Sequence, residues 1–330
     1  MQVQLYRQRL ILTRQSSKTG SKKGKRAVFF HSSLKSRRFI LKSKKSTIKA
    51  YLFLLPAFVV FCSVVIFPTI YSFYLSFFSW NGIGDKKFVA LKNYINLFTV
   101  DPVFLTALKN NFLWIIMTVF FTVTVSLLLA VVLNRSFKGR VIYRAIFYIP
   151  YMLSWVVVGV IWKWMYNPNM GFINECLKVV GLTNLKLTWL SDPKIALYCV
   201  YVAALWQGVG QPMILFLSGL QTIPTDILEA ATIDGAGKPR IFFSITIPML
   251  KETFVVVFAT LIIAAMKVYD IIKVMTGGGP GNSTETLATY MYSQTFMYSN
   301  FGKGSAIASV MFLMMIVIIV PYVIYTARED

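Results

Sequence analysis

The chain has 330 residues, with 34 Lys+Arg against 12 Asp+Glu, a net charge of +22. Hydrophobic residues make up 56% and charged residues only 14%, where a soluble domain carries about 25% charged residues. With a mean hydropathy of +0.63, this excludes an ordinary cytosolic enzyme and a disordered chain and points to a polytopic membrane protein.

The charge is unevenly placed, and its placement argues against nucleic acid as a partner. Fifteen of the basic residues lie in residues 1–49, which contain no acid. That segment reads as a disordered cytoplasmic tail, solvated or touching anionic lipid headgroups. It is too basic over too long a stretch for a secretory signal, and no small-residue cleavage site follows the first apolar run. Six apolar segments come next, at 51–78, 112–133, 143–165, 195–219, 253–274 and 304–326. Each is long enough to cross a hydrocarbon core of about 30 Å as a helix, the form in which a lone segment satisfies its own backbone in lipid. Pro56, Pro68, Pro150, Pro212 and Pro321 lie in or beside these spans, where kinks are tolerated.

Loop charges set the expected orientation. Arg135, Lys138, Arg140 and Arg144 follow the second span, and Lys238, Arg240 and Lys251 follow the fourth. The last alternate loop, by contrast, holds only Lys303 at its end. Both termini are therefore expected in the cytoplasm, with 79–111, 166–194 and 275–303 facing outward. Residues 171–181 read as a short amphipathic helix on the membrane face, and 277–282 (GGGPGN) as a turn cluster.

Polar residues inside spans default to functional candidates. Thr118, Thr122 and Ser126 share one helical face of span two, where hydroxyls also serve helix packing. In span four Gln207 and Gln211 share a face beside Trp206; amides that bond hydroxyls and a ring that stacks on a sugar suit a carbohydrate path. In span five Lys267, Tyr269 and Asp270 lie toward the outer side, and Lys267 and Asp270, at i and i+3, are placed either to pair or to meet substrate. Trp155, Trp162, Trp164 and Tyr166 read as interfacial belt or packing. No catalytic set is visible. His31, the sole His, sits in the basic tail; Cys62 and Cys199 fall in apolar runs and Cys176 in a loop, so no metal site or disulfide is expected. Gly24-Lys25, Gly237-Lys238 and Gly302-Lys303 are not followed by Ser or Thr, so no phosphate-binding loop exists. Energised work would draw on another subunit.

The most informative segment is Ile223–Pro248. Thr225 or Asp226 is placed to cap a short helix after Pro224, with Ile227, Leu228 and Ile233 packing back on the protein. Ala230 and Ala231 give a smooth surface, Glu229 and Asp234 offer charge to a basic partner, and Gly235 to Gly237 make a bend before a second helix.

The string Glu229-Ala230-Ala231 with Asp234-Gly235-Ala236 and a following Pro248 resembles the coupling loop of binding-protein-dependent ABC transporter permeases, and the rest resembles their carbohydrate-uptake branch. Supporting pieces are Leu55-Pro56-Ala57, Asn93-Tyr94, Asp101-Pro102, Trp189 to Pro193, Lys267 to Asp270 and Thr276 to Pro280. The resemblance covers residues 50–326 and resembles six-span members; the basic tail has no counterpart in it. It implies an all-α integral membrane protein of the type I importer fold, with 50–330 as the permease domain and the coupling loop at 221–250. Glu229, Ala230, Ala231, Asp234, Gly235 and Ala236 would sit in a cleft of an ATPase subunit. Partners would be a second homologous permease, two ATP-binding subunits holding ATP and Mg, an extracytoplasmic solute-binding protein, membrane lipid, and a sugar or oligosaccharide. The site would be a bacterial or archaeal cytoplasmic membrane, with no cofactor on this chain and Trp206, Gln207, Gln211, Lys267, Tyr269, Asp270 and Thr122 along the substrate path. Alternatives stay open: an importer of glycerol-3-phosphate or an acidic oligosaccharide, a secondary transporter or channel, and a membrane-bound enzyme.

Overall fold

The computed structural model describes residues 51–182, 184 and 187–327. The basic tail read at 1–49 lies outside the described residues. The chain divides into two compact units, Met1–Ile70 and Tyr71–Asp330. Helix α1 spans Tyr51–Leu75. A small antiparallel hairpin, β1 (Phe78–Ser79) with β2 (Lys87–Phe88), leads to α2 (Lys92–Thr99).

Among the described residues, three helices are long and apolar enough to cross a membrane: α1, α3 (Pro102–Asn134) and the segment Phe301–Ile324 within the final helix. Three bent pairs bring the number to as many as six. They are α4 (Arg140–Met152) with α5 (Trp155–Met165), bent by 100°; α7 (Ala196–Gly208) with α8 (Gly210–Thr222), bent by 44°; and α10 (Lys238–Met249) with α11 (Lys251–Met266), bent by 68°. Between them lie α6 (Phe172–Val179) and α9 (Thr225–Ile233), and after them α12 (Asp270–Met275), α13 (Leu287–Tyr292) and α14 (Phe301–Ala327).

The spans expected at 143–165, 195–219 and 253–274 are each bent or broken in the structure. Span three turns at Leu153 and Ser154, both extended; the Ser154 hydroxyl accepts from Val157 N and starts α5 afresh. Span five stops at Met266, and three residues separate it from the start of α12. Breaks at membrane depth leave carbonyls without helical partners, so the bundle must supply donors. It does so at two breaks, where Gln207 Nε2 donates to Leu153 O (3.1 Å) and Thr286 Oγ1 to Val268 O (3.0 Å); Val209 O keeps its helical bond from Met213 N and also accepts from Ser126 Oγ (3.0 Å).

Among the described residues, apolar side chains gather in three clusters. One joins Trp114, Val158, Val200, Met266 and Ile272; a second joins Leu127, Phe216, Leu250 and Val257; a third joins Leu97, Phe104, Leu287 and Ile307. Gly210 brings α8 onto α4, since a Cβ there would meet Phe147 O and Tyr151 Cβ, both at 3.1 Å.

Candidate functional site: a mid-bundle cavity and a surface helix

The helix breaks surround a cavity of about 290 Å³. Thr122, Gln207, Gln211, Lys267, Tyr269 and Asp270 all line it. Trp206, the seventh path residue read from sequence, does not; it turns away and packs edge-on against Trp162, their centroids 6.1 Å apart. Among the described residues Lys267 and Asp270 form no ion pair, because the chain leaves the helix between them and their i, i+3 relation is lost. Both face the same cavity instead.

The wall also holds residues that sequence reasoning left aside or placed elsewhere. Trp155, read as belt or packing, is a lining residue, as are Trp114, Tyr151 and Tyr201. Tyr201 donates to Met117 O (2.6 Å) at the entry to a π turn, Thr118–Thr122, and bonds the Thr122 hydroxyl (3.0 Å). A signal for Tyr201 was present: Tyr201, Ala204, Gly208 and Gln211 recur every three to four residues along span four. Tyr166 takes the packing role: it is buried and donates to Cys199 O. Trp164 is exposed, as a belt residue would be.

The second feature is α9 and the bend after it. Pro224, not Thr225 or Asp226, holds the cap position, and Thr225 is already helical. At the other end Gly235 takes φ +78°, Gly235 N bonds Thr232 O (3.1 Å) and Ala236 N bonds Ala231 O (3.0 Å). This reciprocal pair of bonds closes the helix with its own backbone. No residue of α9 is buried. Only Leu228 packs toward the second cluster; Ile227 is exposed and Ile233 is 85% exposed, against the expectation that both pack back. Glu229 is exposed and, among the described residues, has no ion-pair partner. Asp234 caps the helix end as its last half-helical residue, and Ala230, Ala231 and Ala236 complete the small-residue face.

A third region escaped the sequence reading. Asp101 caps α3 through its Oδ1, accepting from Val103 N and Phe104 N. Its Oδ2 accepts from Lys303 Nζ and Tyr290 Oη, each at 2.7 Å. Burial works against the Asp101 charge, but the bonds from Lys303, Tyr290 and Phe104 prevail and hold its carboxyl below the usual value. Nearby, Asn110 Nδ2 donates to Ser283 O and Glu285 O, both at 2.8 Å, docking the glycine-rich turn onto α3. Burial pushes the Glu285 carboxyl up, opposed by a Thr289 hydrogen bond and the Lys273 charge. No group of three or more His, Cys, Asp or Glu side chains is placed to hold a metal ion among the described residues.

Comparison with known proteins places this arrangement. A family profile described as "Binding-protein-dependent transport system inner membrane component" matches residues 122–328. A probable ABC transporter permease protein of Pyrococcus horikoshii is 39% identical over 280 residues, 84% of this chain and 96% of that one. A trehalose/maltose transport system permease protein of Thermococcus litoralis is 32% identical over 82% of this chain and 91% of its own length. Among solved structures, a bacterial ABC transporter involved in the import of the acidic polysaccharide alginate superposes with a TM-score of 0.77 at 21% identity. The match spans 88% of this chain and 98% of that one, and it carries the helical architecture.

Proposed function

The chain belongs to the family of binding-protein-dependent transport system inner membrane components, and from that premise we propose that it is one of two permeases forming the path of an ATP-driven sugar importer. The second permease, two ATP-binding subunits and an extracytoplasmic binding protein complete the assembly. ATP with Mg supplies the energy on the ATP-binding subunits. This chain's own part is to hold the sugar, exclude water from the path and move.

The observation that carries the reading is α9: an exposed, self-closed helix with no buried residue, presenting Glu229 beside a small-residue face. Glu229 pairs with a basic side chain in a cleft of the ATP-binding subunit, while Ala230, Ala231, Gly235 and Ala236 allow close backbone approach. Closure of the ATP-binding pair then pushes α9, and α10 and α11 carry the push to the cavity. On this reading α9 is cytoplasmic, both termini share its side, and the turn at 277–282 faces outward in a bacterial or archaeal cytoplasmic membrane.

Relatives named for trehalose/maltose and for xylose/arabinose import support a sugar as cargo. The cavity supports a neutral one. Lys267 and Asp270 offset each other at its wall, and Gln207, Gln211, Tyr151 and Trp155 supply amide and aromatic surface suited to hydroxyls and C–H faces.

The test is ATPase activity of the whole complex in nanodiscs, with its binding protein and trehalose, maltose, xylose or arabinose. Stimulation by one loaded binding protein, abolished by Glu229→Lys, is the expected result. A chain that moves solute in liposomes with no ATPase bound to it overturns the reading in favour of a secondary transporter.

A further inference from the structure

Gln207 is 3% exposed and lines the cavity, yet only half of its carboxamide is used. Its Nε2 donates to Leu153 O at 3.1 Å, in the two-residue break where α4 and α5 diverge by 100°. Its Oε1 is buried and, among the described residues, has no hydrogen-bond partner. The assignment of the two atoms is fixed by the bond itself, since a carbonyl accepts and only the amide nitrogen can donate to it. One amide therefore supplies the donor at this break and keeps an unpartnered acceptor beside it.

We infer that Gln207 links the cavity's ligand to the bend of span three: a hydroxyl of the ligand donates to Oε1 while Nε2 stays on Leu153 O. The inference rests on the cavity being the sugar path. An unpaired buried acceptor disfavours the empty state, and a ligand hydroxyl removes that penalty in the loaded state alone. A ligand shifts a conformational equilibrium only by such a difference. Loading therefore favours the bent arrangement of α4 and α5, and it does so through one named atom. The chemistry also selects. Oε1 can only accept, so it recognises a neutral hydroxyl and gives nothing to a carboxylate or phosphate.

The experiment measures the dissociation constant of trehalose, maltose, xylose and arabinose, titrated onto the permease complex in nanodiscs without binding protein. Monodeoxy analogues of whichever sugar binds follow. Gln207→Met removes both halves of the amide; Ser126→Ala removes a break donor that does not line the cavity and serves as the structural comparator. Gln207→Met is expected to weaken sugar binding about tenfold, the size expected for a buried acceptor left without its partner. Ser126→Ala is expected to lower thermal stability and leave the dissociation constant in place. One deoxy analogue should lose about tenfold on the unaltered complex and nothing further on Gln207→Met, as coupled partners do. A Gln207→Met complex that loses stability but binds every sugar normally overturns the inference. If that variant does not assemble, the deoxy series on the unaltered complex decides, and uniform tolerance of every deletion overturns it. A complex that responds to loaded binding protein yet binds none of the four sugars directly overturns this inference alone; one that does neither overturns the importer reading with it.

Discussion

Two polar regions of this molecule are built on opposite plans. Helix α9 and its bend are made from contacts two to five residues apart: a proline start, a glycine stop and two backbone bonds that close the last turn. The corner where α3, α13 and α14 begin is made from contacts across the chain, with Tyr290 and Asp101 189 residues apart and Asn110 and Ser283 173 apart. A locally built element keeps its shape while its surface stays free for a partner. A corner built at long range cannot change shape without loosening the helices it joins. The first suits contact and transmission, and the second suits rigidity.

The largest separation between the two should come from charge reversal. Glu229→Lys is expected to reduce coupled transport about a hundredfold, the scale of losing and then opposing a docked charge pair. The unfolding midpoint should barely move, because surface changes of this kind stay within about 0.5 kcal/mol. Asp101→Asn should do the reverse. Asparagine still caps α3, so the change isolates the bond to Lys303 and Tyr290. Breaking a mostly buried pair should destabilise the chain by about 3 kcal/mol, read by denaturant unfolding in micelles, with coupling per folded complex retained. A stability loss in Glu229→Lys as large as that in Asp101→Asn would erase the distinction.

The same contrast explains what could be read in advance. Spans, the surface helix and the glycine bend are local patterns, and Gln207, Gln211, Lys267, Tyr269, Asp270 and Thr122 meet at one cavity because each is a polar group in an apolar run. The breaks at 153–154 and 267–269 were not legible, since neither holds a glycine or proline and only neighbouring donors make them tolerable. Trp206 is one residue, about 100° of helix, from Gln207, which turns its ring to Trp162 and off the cavity wall. The Asp101–Lys303–Tyr290 corner left no trace in the sequence, because nothing in Asp101-Pro102 announces a partner two hundred residues on.

Two glycines sharpen the comparison at smaller scale. Both take positive φ, +94° at Gly278 and +78° at Gly235. A Cβ at Gly278 would collide with Glu285 Oε2, whereas one at Gly235 would meet nothing within 4 Å. Gly235→Ala should therefore cost only the left-handed backbone penalty, about 1 kcal/mol. Gly278→Ala carries that penalty and must also displace a buried carboxyl, so it should cost more, about 2–3 kcal/mol. Equal unfolding midpoints for the two variants would show that the corner yields as readily as the surface bend.

The smallest effect is also the most specific, because two carboxyls in one region should respond to acid with opposite signs. Asp101 is held below its ordinary 3.8, so its contribution is present above that value and is lost as pH falls through the lower folded one. Glu285 is pushed above its ordinary 4.5, so the folded chain takes its proton before the unfolded chain does. Its contribution is greatest below 4.5 and is lost as pH rises through the folded value. Acidification from neutrality should first raise the unfolding midpoint and then, below 3.8, lower it. Glu285→Gln, neutral throughout, should remove the rise and leave the fall. Asp101→Asn should remove the fall and leave the rise. A rise that survives in Glu285→Gln would mean that some other group carries it, and that the turn at 277–282 rests on a carboxylate that is charged at all these pH values.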